Sequence, residues 1–87
     1  MSQIKFTTAI EARNYMDALY RQIKEVPYNA DIRRLWENCS KQVDVLSSLE
    51  VDARRSHKDY KVREYLADMH TNIENVEKWV IMLKLMA

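Results

Sequence analysis

At 87 residues with 47% hydrophobic and 31% charged side chains, the chain is long enough for one small globular domain and too apolar for a disordered tail. A net charge of +1 gives no whole-molecule field to draw it to nucleic acid or acidic lipid, so any such binding must come from a local patch. Glycine is absent and proline occurs once, which excludes the Gly-dependent tight turns of a β-rich fold and the glycine loops that cradle phosphates.

The first residues, Met1 to Thr8, are polar and carry no apolar signal-peptide core, so residues 1–7 read as an extended leader to the first helix. Thr8 followed by Glu11 has the spacing of a capping box, in which each side chain answers the other's backbone amide. Apolar residues then fall at Ala12, Met16, Leu19, Ile23 and Val26 in alternating steps of four and three, one stripe along a helix over about residues 9–26. Pro27 ends it, because the residue before a proline is pushed out of helical geometry.

A second helix is expected over about residues 30–54, capped by Asn29 or Asp31. Its stripe is Ile32, Trp36, Cys39, Val43, Leu46 and Ala53, with Leu35 and Leu49 widening the face. Glu50 occupies one core slot. A carboxylate there is either wet, if nothing covers that stretch, or paired with Arg54 or Arg63.

The third stripe, Val62, Leu66, Met69, Ile73, Val76, Val80, Leu83 and Ala87, predicts a helix over about residues 57–86. No Gly or Pro separates it from the second, so one long kinked helix in an intertwined dimer is the alternative. The phase of the stripes favours a turn near residues 54–58. The second pattern extended would place His57, Tyr60 and Glu64 in the core, whereas the third uses Val62 and Leu66, and a two-residue slip rotates the face by about 200°. Ser56, three residues before Asp59, offers the cap for a new start. The expected fold is all-α: a single three-helix, up-down-up bundle with coiled-coil-like heptad packing, expected to be oligomeric. The first helix is the shortest, leaving an overhanging hairpin that Ile4 and Phe6 are placed to fold over.

The two ends of such a bundle differ chemically. In the run Trp79 to Ala87 the core stripe needs only Val80, Leu83 and Ala87. Ile81, Met82 and Leu85 fall on the outer face, with Trp79, Met86 and Tyr28 at their edge. Either these residues fray or are folded over, or they meet a protein partner or a second copy; the second reading makes Trp79, Ile81, Met82, Leu85, Met86 and Tyr28 the candidate partner-binding residues. The other end carries five cations, Arg54, Arg55, Lys58, Lys61 and Arg63, and one acid among residues 54–63. Such a tip is either a solvated hairpin or a site for nucleic acid or a small anionic ligand.

No catalytic, metal or cofactor constellation emerges. His57 and His70 lie thirteen residues apart, and His70 with Glu74 reads as a surface pair one turn apart. Cys39 sits in the core stripe, where a thiol is inert packing, and a lone cysteine fits a reducing cytoplasm. The apolar run of nine residues at the end is far short of the roughly 20 that span a bilayer. The sequence therefore points to a cytoplasmic, non-enzymatic interaction module: an adaptor, inhibitor or assembly factor.

Overall fold

The computed structural model describes residues 4–57 and 59–86. Three helices follow one another: α1 (Ala9–Lys24), α2 (Ala30–Ser56) and α3 (Asp59–Met86), with no strand among the described residues. The particle is elongated, 48 × 24 × 18 Å.

α1 begins where Thr8 turns extended and its hydroxyl accepts the Glu11 amide at 3.2 Å. The expected capping box is only half formed. The Glu11 carboxylate takes the hydroxyls of Thr7 and Thr8, at 3.1 and 3.0 Å, in place of the Thr8 amide. The helix closes at Lys24, with the Glu25 and Val26 amides turning back to Gln22 and Ile23 ahead of Pro27. Asn29 caps α2, its side-chain oxygen accepting the Ile32 amide at 3.1 Å.

The hinge between α2 and α3 is shorter than the stripes imply. α2 continues to Ser56, whose hydroxyl donates back to the Asp52 carbonyl at 2.8 Å, so Ser56 ends one helix and does not cap the next. His57 then adopts the left-handed conformation at φ 58°, ψ 31°, its amide closing on the Ala53 carbonyl. This position usually favours glycine, and histidine is among the few other residues that tolerate it.

The helices alternate in direction. Cross-links from Arg13 to Asp44 and from Trp36 to Met16 set α1 antiparallel to α2, and the short hinge after Ser56 together with the bond from Asn72 to Gln42 sets α3 antiparallel to α2. The Arg13–Asp44 pair, at 2.6 Å, is exposed and adds little stability beyond register. The core is built from the sequence stripes: Ala12, Met16, Leu19, Ile23 and Val26; Ile32, Cys39, Val43, Leu46 and Ala53; and Met69, Ile73, Val76 and Val80. Trp36 is half-buried because its indole N–H must reach the Met16 carbonyl, at 3.0 Å. Val62, Leu66 and Leu83 are half-buried as well. Ala87, the last slot of the third stripe, lies outside the described residues.

α1 packs mainly against α2, and the seam between α1 and α3 is filled by the segment before α1. Phe6 is fully buried there, stacked on the His70 ring at 4.3 Å and tilted against Tyr15 at 5.8 Å. Lys5 runs alongside, its ammonium paired with Glu77 while the Tyr15 hydroxyl donates to the same carboxylate at 2.7 Å. Burial alone would lower the Lys5 ammonium, but the Glu77 and Tyr15 hydrogen bonds and charges outweigh it and hold it above its ordinary value. Burial and the Glu77 bond push the Tyr15 hydroxyl up in turn. Of the two residues expected to cover this stretch, Phe6 does so and Ile4 stays exposed.

Candidate interaction surfaces

The C-terminal turns of α3 point a core residue inward only at Val80 and, partly, at Leu83. Around them Leu85 and Met86 are 81% and 78% exposed, Ile81 58%, Met82 52% and Trp79 37%. These five apolar side chains arise from one physical fact. The last turns of α3 are apolar on every side but Lys84, while the bundle offers partners to one side only. No helix among the described residues is long and apolar enough to cross a membrane.

Tyr28 is exposed too, and its recorded contact is elsewhere at that end. Its ring lies 5.6 Å from the Arg33 guanidinium, which also sits 5.3 Å from the Tyr20 ring. Arg33 Nη1 donates to the Tyr20 hydroxyl at 3.0 Å, Tyr20 leans on Trp36 at 4.8 Å, and the Lys24 ammonium lies over Tyr20. Arg33 Nε is buried without a hydrogen-bond partner among the described residues. Tyr28 thus joins a cation–aromatic cluster with Arg33 of α2 and Tyr20 of α1. Sequence spacing showed Tyr28 near this end but carried no signal for the cluster.

At the opposite end Arg54 and Arg55 occupy the last turn of α2, where cations suit the carbonyl end of the helix, and Lys61 and Arg63 lie early in α3. All four are exposed, and none forms a salt bridge among the described residues. Lys58, the fifth cation expected in this patch, lies outside the described residues.

Glu50 has neither partner the sequence suggested for it. It is half-buried, and its carboxylate accepts the Ala9 amide at 3.1 Å. Ala9 opens α1, so the acid from α2 sits on the positive end of another helix. This is a tie between elements 41 residues apart, invisible to local spacing.

His70 also departs from its surface expectation, since it is buried. Its Nε2 accepts the Lys5 amide at 2.9 Å and its Nδ1 lies 2.7 Å from the Leu66 carbonyl. An amide can only donate and a carbonyl only accept, so the ring carries its proton on Nδ1. Nε2 thus holds the N-terminal segment, while Nδ1 is tied back to the helix that carries the ring. Ile4 and Phe6 were the sequence signal for a covering segment, and of the two only Phe6 enters the seam.

Cys39 is buried, and burial pushes its thiol up to about 11. A thiol so raised and enclosed is a poor nucleophile. Among the described residues no three His, Cys, Asp or Glu side chains cluster as a metal site. Compared with protein-family models, with curated proteins and with solved structures, the chain matches none.

Proposed function

We propose that the protein is a non-enzymatic interaction module, a cytoplasmic adaptor, inhibitor or assembly factor that binds a protein partner or a second copy of itself through the C-terminal turns of α3. The observation that carries this reading is the exposure of Ile81, Met82, Leu85 and Met86 together on one helix end. Large apolar side chains gain roughly 1.5–3 kcal/mol each on burial, so four of them favour association strongly. Met and aromatic residues such as Trp79 and Tyr28 suit adaptable contact surfaces. A second reading, binding of nucleic acid or a small anionic ligand at the other end, is favoured by the exposed cations Arg54, Arg55, Lys61 and Arg63, which lack carboxylate partners among the described residues.

Native mass separates the two. Light scattering of the wild type beside Met82→Glu with Leu85→Lys should show an assembly lost in the variant, at unchanged helical signal. Hydrophobic assembly persists in high salt, and anion-driven assembly does not. Equal mass for both proteins removes self-association. A pull-down in which the variant retains every protein held by the wild type removes the partner reading as well.

A further inference from the structure

α1 has 16 residues against 27 and 28 in the hairpin, so at about 1.5 Å per residue the hairpin is longer than α1 by more than 15 Å. Glu50 meets the first residue of α1, Ala9, so Ala53 and the rest of α2 run on past it, and Val62 of α3 lines a common hollow with Ala53. A hollow of about 420 Å³ lies against Ile4, Phe6, Leu66, Ala67 and His70. A second, of about 320 Å³, runs on past Glu50, Ala53, Val62 and Arg54. Both are lined by Thr7, Leu66 and Arg63, which makes them one trough with Arg63 at its middle.

We propose that this trough binds a small amphiphilic anion, an aliphatic or aromatic tail bearing one carboxylate or phosphate head. The proposal deepens the anion-binding reading above and rests on it. The first hollow is apolar on every wall except Arg63 and the two threonines, because both nitrogens of His70 are taken by Lys5 and Leu66 and only its ring face remains. Its volume falls within the range of small-ligand sites. The second hollow holds two arginines and two acids. The Glu50 carboxylate is already engaged by the Ala9 amide, and Asp59 stands in the first turn of α3, where an acid offsets the helix's own positive end. Arg54 and Arg63 form no salt bridge among the described residues. A tail in the first hollow therefore sets its head at Arg63 and towards Arg54 of the second, two guanidinium groups without salt bridges among the described residues, which suit planar or tetrahedral oxyanions.

The test titrates the full chain with octanoate, octyl phosphate, hexanoate and uncharged octanol, read by calorimetry and amide NMR shifts. Octanoate or octyl phosphate should bind saturably, moving Thr7, Leu66 and Ala67, and whichever binds tighter identifies the head. Each methylene is worth about a fourfold gain in affinity, so octanoate should exceed hexanoate by roughly tenfold or more. Octanol should bind at least about tenfold more weakly than octanoate. Arg54→Gln with Arg63→Gln should remove that difference, and Ala67→Trp should block the hollow with both arginines in place. Arg55→Ala, which lies outside the trough, should leave octanoate affinity unchanged while weakening any polyanion binding at the tip. Equal binding of octanol and octanoate overturns the proposal. So do shifts centred on Ile81 to Leu85, or octanoate affinity indifferent to both the arginine and Ala67 variants. Salt-sensitive binding of a nucleic-acid oligomer lost in Arg55→Ala, with no octanoate binding, would retain the basic tip and reject the trough.

Discussion

Replacing Glu50 by alanine tests how the short first helix is fastened to the long hairpin. The Glu50 carboxylate is the acceptor seen for the Ala9 amide, and Ala9 itself is buried, so water cannot simply take the place of the lost oxygen. A hydrogen bond to a charged group contributes about 1.5–3 kcal/mol, and an acid at a helix N-terminus about 0.3–1 kcal/mol. Half-burial of Glu50 places the sum near the lower end, at about 2 kcal/mol. For a domain of this length that corresponds to a fall of about 8–16 °C in the thermal midpoint. Glu50→Gln keeps an oxygen for the amide and gives up only the charge, so it should lose less than half as much. Arg54→Ala should cost under about 0.5 kcal/mol, since the arginine is exposed and has no salt bridge. Thermal unfolding followed by circular dichroism measures all three. The reasoning fails if Glu50→Ala shifts the midpoint by less than about 2 °C. It fails equally if Arg54→Ala matches Glu50→Ala, for then the carboxylate serves the arginine and not the helix.

Two further outcomes follow from the same geometry. His57 holds a left-handed conformation that is costly for a residue with a Cβ, so His57→Gly should stabilise the protein by about 0.5–1 kcal/mol despite the added freedom of the unfolded chain, and His57→Val should destabilise it by at least as much. Urea midpoints that rank valine above glycine would contradict the hinge. The Cys39 thiol ionises near its ordinary 9.0 when unfolded and near 11 when folded. Its contribution is thus fully present below pH 9 and lost as pH rises towards 11, a decline of roughly 2–3 kcal/mol. Under reducing conditions Cys39→Ala should flatten that decline, leaving the part due to Lys5, Tyr15 and Tyr65, which are raised in the same direction. An identical alkaline slope in both proteins would show that the thiol is not enclosed.

Periodicity in the sequence was sufficient for three helices and for most of the core, because a helix repeats its faces every 3.6 residues and a stripe such as Met69, Ile73, Val76 and Val80 has no other low-energy use. It also separated Val80 from Ile81 and Met82, the inner from the outer face of α3. The turn was legible only as a break in phase, since the residue that makes it is a histidine and not a glycine. What tertiary structure alone decided is where polar groups from distant parts of the chain meet. Glu50 on the Ala9 amide, the Lys5 amide on His70 Nε2 and Arg33 on the Tyr20 hydroxyl all join segments that lie apart along the chain. Hydrogen bonds are directional and short, so a sequence can supply their donors and acceptors without fixing which pair will lie within 3 Å. The trough at the overhang has the same origin: it is the space left when a 16-residue helix is laid against a hairpin of 27 and 28.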